Sequence, residues 1–321
     1  MFRILIISLV LVVSGSGYAW AYDADSFATF KLNLQQEAIA KGLSPAIVKE
    51  AMDSVQYLPK VIELDRKQPE KKITFAEYKN NILTDARINK GREMFKEHRA
   101  ELERVSKQYG VQPEYIVALW GMETNYGGYK GNWGVMSALA TLAYEGRRAE
   151  FFKKELMNAM RILDEGHIEL SGLRGSWAGA LGHNQFMPSS FLELAVDGDK
   201  DGRKDIWNDL NDVFPSSANY LAQKGWNDAY GWGYEVTLPA GFPESLLTRE
   251  IKKPVSEWLK MGVVPIGGKQ SNSRIQASIV APDGIDGAAY LVYSNYDVIM
   301  KWNRSLYFAT TVGLLADAVR Q

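Results

Sequence analysis

Cysteine is absent from all 321 residues. The fold therefore has no disulfide support, and no lipid can be attached to a cysteine after processing. Histidine is scarce, with three copies. His167 has no second histidine or cysteine at metal-ligand spacing and reads as a structural or surface residue. No charge of one sign dominates: 37 Lys and Arg face 38 Asp and Glu, for a formal net charge of -1. That excludes the electrostatic footprint of a nucleic-acid or anionic-membrane binder. Neither a GxxxxGK[ST] loop nor a GxGxxG turn occurs, so the glycine-rich stretches are not phosphate cradles. Long hydrophobic runs are missing too. The longest, Ile4–Val13, is too short for a comfortable membrane span.

That short run has another reading. Arg3 supplies a positive n-region, Ile4–Val13 an apolar h-region, and Ala19-Trp20-Ala21 a small-x-small cleavage site. Residues 1–21 are expected to be a signal peptide cleaved near Ala21, making this an exported, soluble, periplasmic protein. Hydrophobic content of 46% and charged content of 23% fit an ordinary globular chain with room for two or three domains. Nine Trp and sixteen Tyr, many beside Gly and Asn, provide surfaces on which sugars stack.

The stretch Val111–Gly128, VQPEYIVALWGMETNYGG, organises the rest. Pro113 suits a first helical position, with Glu114 in the positively polarised first turn. Ile116, Leu119 and Trp120 recur at helical spacing, and Glu123 falls on the same stripe at the helix end. A carboxylate there either emerges solvated at a frayed helix end or is partly desolvated, and desolvation raises its pKa toward the value a general acid needs.

Around it, Asp23–Val55 carries two helical patterns separated at Gly42, with Ser44 and Pro45 starting the second. Tyr57–Lys72 is polar, has two prolines and reads as a surface segment. Phe75–Tyr109 is charged and helix-compatible, its charges forming a solvated face. Met136–Tyr144 and Ala149–Leu163 are the next helices, the latter with an apolar stripe of Phe151, Phe152, Leu156, Met160 and Leu163. Phe191–Val196 is a further helix, and Tyr220 belongs to one that ends near Gly225. From Trp232 to Val292 the pattern turns to strands: Tyr234–Leu238, Ile275–Val280 and Ala289–Val292, with one short helix at Pro254–Met261. Helical periodicity returns over Tyr296–Ala318, where Ile299, Trp302 and Leu306 line one face. Asn303 lies on that face too and needs a partner or a cleft.

Asp197–Asp205, DGDKDGRKD, places acidic residues at positions one, three, five and nine of a calcium-type loop, with Gly202 at six and the Arg203 carbonyl at seven. Asn208 stands at twelve instead of a bidentate Glu, so Asp209 or Asp212 would have to close the site; the other reading of the stretch is a solvated acidic turn. Asp212 is alternatively an N-cap for the following helix.

Four motifs stand in order: Glu123-Thr124-Asn125-Tyr126-Gly127, Gly182-His183-Asn184-Gln185-Phe186-Met187-Pro188-Ser189-Ser190, Ala218-Asn219-Tyr220 and Trp302-Asn303-Arg304-Ser305. Together with the acidic loop they make the chain resemble the membrane-bound lytic transglycosylase B family, glycoside hydrolase family 103, over essentially its whole length after residue 21. The resemblance implies a mainly α (α+β) fold: a lysozyme-like helical core, a helical flanking domain and a small inserted β-rich domain. The corresponding boundaries are 22–94 for the flanking domain, 95–231 with 293–321 for the core, and 232–292 for the insertion. It implies a lytic murein transglycosylase that cleaves the MurNAc-GlcNAc β-1,4 bond of peptidoglycan strands and leaves a 1,6-anhydromuramic end. Glu123 matches the single acid/base. Ser176, Gln185, Tyr220 and Asn303 match cleft positions. Asp197, Asp199, Asp201, the Arg203 carbonyl and Asp212 fall on a structural calcium loop spanning 197–212; the chemistry itself needs no cofactor. The chain departs from the family at His183-Asn184, where members carry Tyr-Gly, and at Trp302, where they carry Tyr. One extra residue lies between Trp207 and Asp212, and the lipid-accepting cysteine is missing. The rival readings are a hydrolytic muramidase, with Glu145, Glu150 or Asp228 as second carboxylate, and a non-catalytic calcium-dependent peptidoglycan-binding protein. Partners among cell-wall synthesis or remodelling proteins stay open.

Overall fold

The structure is a computed structural model that describes residues 23–67, 73–268 and 272–320. The expected signal peptide and residues 68–72 of the polar segment lie outside them. Fourteen helices are present among the described residues: α1 (Ala24–Ala40), α2 (Pro45–Asp53), α3 (Pro59–Arg66), α4 (Phe75–Ile82), α5 (Asp85–Glu97), α6 (Arg99–Tyr109), α7 (Pro113–Thr124), α8 (Val135–Glu145), α9 (Ala149–Asp164), α10 (Pro188–Leu194), α11 (Leu210–Gln223), α12 (Val255–Lys260), α13 (Ser294–Trp302) and α14 (Leu306–Val319). Local signals account for many of these ends. Pro45, Pro59, Pro113 and Pro188 each open a helix, where the missing N–H has no intrahelical partner to lose. Thr74 and Glu77 form a reciprocal capping box on α4. Gly110 ends α6 with φ 66.

The strands are β1 (Trp133–Gly134), β2 (Arg174–Gly175), β3 (Gly233–Thr237), β4 (Lys253–Pro254), β5 (Val264–Pro265), β6 (Gln276–Val280) and β7 (Ala289–Val292). The first two pair with each other, and the others form one antiparallel sheet in the order β4-β6-β7-β3-β5. This small sheet has its own apolar cluster around Tyr234, Trp258, Ile279 and Leu291. Trp232, Tyr290 and Val292 belong instead to the large cluster that the helices share.

Three expectations change. Tyr57–Lys72 is not all surface chain, because Pro59 starts α3 and Val61 and Ile62 are buried. Phe151 leaves the apolar stripe of α9 and is 44% exposed, whereas Phe152 is buried. The periodicity over Tyr296–Ala318 belongs to two helices, broken where Asn303 adopts an extended backbone and Ser305 caps α14 by accepting from the Phe308 N–H.

Candidate active site

The helix α7 is apolar on every side, with Ile116, Val117, Ala118, Leu119 and Trp120 all buried, and it packs against α5, α6, α11 and α14. Its C-terminus is closed by two backbone hydrogen bonds across a left-handed turn: Tyr126 N–H donates to the Trp120 carbonyl and Asn125 N–H to that of Gly121. Asn125, Tyr126 and Gly127 all have left-handed backbone, at φ 51, 59 and 78. The buried Tyr126 ring holds this turn in place over two glycines. A Cβ would lie 2.6 Å from the ring at Gly121 and 2.4 Å from the hydroxyl oxygen at Gly91. That hydroxyl donates to the Arg87 carbonyl at 3.0 Å.

Glu123 is thereby fixed half-buried at the end of a rigid helix. Burial pushes its carboxyl up to about 7, while the indole N–H of Trp302 donates to Oε1 at 2.7 Å and pulls the other way. Because an indole only donates, the acid's proton belongs on Oε2. The Trp302 ring in turn packs 4.6 Å from Tyr220 and 5.2 Å from Phe186, between centroids. The Tyr220 hydroxyl donates to the Lys301 carbonyl at 2.7 Å. Tyr78 of α4 also feels the Glu123 charge; burial first, then that charge, raises its phenol.

The other expected cleft residues are placed as follows. Ser176 Oγ accepts from the N–H groups of Ala178 and Ala180, so its own hydroxyl proton is left to donate. Gln185 has a left-handed backbone, φ 49, and its amide donates to the carbonyls of Gly182 and Lys130. Asn303 is exposed after α13, and its side-chain oxygen accepts from Ser305 N–H at 3.1 Å. Among the described residues only Trp302 hydrogen-bonds Glu123. Tyr220 therefore joins the acid through the Trp302 ring, whereas Ser176 and Asn303 do not orient it directly.

Tyr78, the Trp302 contact and His183 were missed at the sequence level. His183 accepts the Trp120 indole N–H on Nδ1 at 2.8 Å, and its backbone N–H donates to the Ile206 carbonyl at 2.9 Å. Burial holds the imidazole down at about 4, hence neutral, and the Trp207 carbonyl faces it. The ring thus ties α7 to the acidic loop. Asn184 does likewise for α11, donating to the Val213 carbonyl and to Ser217 Oγ. The sequence resemblance marks both positions as departures without giving either a role.

In the acidic loop, carboxylate oxygens of Asp197, Asp199 and Asp212 converge within 4.8 Å of one another. Asp212 is buried, accepts from Gly198 and Asp205 N–H at 2.6 Å each, and is pushed up to about 6, chiefly by burial. It is not the helix cap; Asp209 caps α11 by accepting from Asn211 N–H. Asp201 is not among the three converging carboxylates; it accepts from Arg203 N–H at 2.8 Å, and its own N–H donates to Asp197 and Asp199 at 3.1 Å each. Three convergent carboxylates, one of them buried, suit a hard divalent cation with oxygen ligands. His167 braces the loop from outside by accepting from Lys204 N–H.

A half-buried acid at a helix end with an aromatic wall beside it is an arrangement suited to acid-catalysed chemistry on a ring-shaped substrate. Residues 26–317 match the transglycosylase SLT domain, and the chain belongs to that family of lytic transglycosylases. Membrane-bound lytic murein transglycosylase B of Escherichia coli K12 is 32% identical over 252 residues, which cover 75% of this chain and 66% of that relative. SltB3 from Pseudomonas aeruginosa, solved in complex with NAG-anhNAM-pentapeptide, superposes with a TM-score of 0.88 at 42% identity, over 92% of this chain and 79% of SltB3. The E. coli lytic transglycosylase Slt35, solved in complex with calcium, gives 0.78 at 29% identity, over 91% and 92% of the two chains.

Proposed function

We propose that the chain cleaves the β-1,4 bond between N-acetylmuramic acid and N-acetylglucosamine in peptidoglycan, using Glu123 as both acid and base. The observation that carries this is the setting of Glu123: a carboxyl raised to about 7 by burial, with one oxygen held by Trp302 and, among the described residues, no second carboxylate acting on it. Glu123 Oε2–H protonates the glycosidic oxygen as the C1–O bond breaks. The substrate's acetamido carbonyl stabilises the oxocarbenium-like C1, the role taken in substrate-assisted exceptions to two-carboxylate hydrolysis. The muramic C6 hydroxyl then closes on C1 and returns its proton to Glu123. No water is consumed, and the product carries a 1,6-anhydro end. Ser176, Gln185, Tyr220 and Asn303 are assigned to the cleft, Ser176 and Asn303 as donors to the substrate rather than to the acid.

A hydrolytic muramidase needs a partner carboxylate, and none of the three candidates acts on Glu123. Glu145 pairs with Arg66, Glu150 is exposed at the start of α9, and Asp228 lies beside Gly110 and Gln112. That last place is the opposite end of α7, about 15 Å from Glu123 along the axis. The desolvated, indole-held acid likewise favours turnover over a purely binding role. Asp197, Asp199 and Asp212 would hold calcium, and its role is to stabilise the loop. The site of action is the periplasm, where the substrate is. Mass spectrometry of products from purified sacculi tests the reaction. Anhydromuramic ends are expected; hydrated, borohydride-reducible muramic ends in the majority would overturn the proposal.

A further inference from the structure

A cleft of about 600 Å³ opens on the other side of Tyr220, lined by Glu193, Lys224, Arg249, Asp297, Lys301 and Arg304, among others. Its lining carries four cations against two carboxylates, although the whole chain is at -1. Glu193 is taken by Lys224, and Asp297 is shared between Arg249 and the neighbouring Lys252. Lys301 reaches only a backbone oxygen, the Lys224 carbonyl. Arg304 has no hydrogen-bond or ion-pair partner among the described residues. Two cations thus face the cleft uncompensated. They come from the same short segment as Trp302, whose indole holds Glu123, and Tyr220 both walls the cleft and packs on Trp302.

We infer that this basic cleft is a subsite for the carboxylates of the peptide stem, so that the enzyme prefers stem-bearing strands to bare glycan. The inference rests on the proposed peptidoglycan reading. A muramic residue carries its stem on the C3 lactyl group, so a strand whose scissile bond lies at Glu123 extends an acidic peptide sideways from the sugar. Arg304 offers a planar fork that pairs bidentately with a carboxylate, and Lys301 a point charge beside it. Both are solvent-accessible, so their pull is modest and screened by salt.

The test measures kcat/KM for Arg304→Ala, Lys301→Ala and the double variant on three substrates. These are stem-bearing strands, strands stripped of stems by an amidase, and strands whose stem carboxylates have been amidated. The parent enzyme is expected to prefer the first, and the double variant to lose about three- to tenfold on it alone, mainly through KM. The preference should also shrink as salt is raised. Equal losses on all three substrates, no loss on any, or a parent preference for stripped strands with their free lactyl carboxylates would each overturn the subsite. Glu123→Gln separates the two claims. It should abolish cleavage of all three substrates, whereas failure of the subsite leaves cleavage intact and only its stem preference gone.

Discussion

Glu123 sets the pH behaviour of the molecule. Its carboxyl is raised from 4.5 to about 7, so the protonated form that starts the reaction is lost as pH rises through that value, and kcat/KM should fall there. Between the two values the folded chain holds a proton that the unfolded chain has released, so stability falls as pH rises across this window and stays lowered above it. Glu123→Gln removes the penalty along with the transferable proton. Activity should drop by about 10²–10⁴-fold or more, while the melting temperature gains over the parent at pH 8 and not at pH 4. A variant keeping a tenth of the activity, about tenfold loss or less, would exclude Glu123 as the acid. Trp302→Phe keeps the ring packing on Tyr220 but loses the N–H on Oε1. The carboxyl should rise further, moving the alkaline limb of the pH profile upward, while kcat falls about ten- to a hundredfold because the carboxylate formed mid-reaction loses its donor. An unmoved limb would mean that the indole does not tune the acid. In the sequence, helical spacing puts Glu123 on an apolar stripe at a helix end, and only the resemblance of the surrounding motifs gives it the acid/base role. Trp302 as its partner was not legible there, since 179 residues separate them and only the fold makes the contact.

The acidic loop is the element whose behaviour is least expected from its composition alone. Asp197, Asp199 and Asp212 bring carboxylate oxygens together within 4.8 Å, and without a cation their charges repel. Calcium tolerates such an irregular oxygen set better than magnesium, and with no bidentate Glu its affinity should fall at about 10⁻⁴–10⁻³ M. Calcium at about 100 times the dissociation constant should then stabilise the fold by about 2.7 kcal/mol. Thermal melts in calcium, magnesium and chelator should separate for the parent and coincide for Asp212→Asn; coincident parent melts would leave the loop a plain acidic turn. The spacing of the aspartates made the loop legible, yet not which residue closes it, because Asp209 and Asp212 differ only in how α11 begins. The same limit hid the break at Asn303. Residues on both sides keep an apolar periodicity, and the local signal, a serine cap at Ser305, is weaker than the pattern it interrupts.

At the scale of the whole molecule, the question is how a sheet inserted between helices avoids disturbing the acid. Trp232, just before β3, joins the two parts: its backbone N–H donates to the Tyr115 hydroxyl on α7, and its ring lies flat against α14 at Gly313. A Cβ on Gly313 would stand 2.2 Å from the Trp232 ring, so only glycine admits this approach. The helix α14 packs on both α7 and α5, the helices that fix the turn after Glu123. Gly313→Ala must therefore push either the buried Trp232 or α14 itself. Overpacking of this kind destabilises by about 1–3 kcal/mol, which should lower the melting temperature by several degrees. Because α14 also carries α7, kcat should fall as well, more than KM changes. Gly134→Ala is the matched control: nothing lies within 4 Å of the added Cβ and its φ is an ordinary -66. If Gly313→Ala melted and turned over like Gly134→Ala, the sheet would be a passenger on the helical core rather than a part that holds the catalytic helix in place.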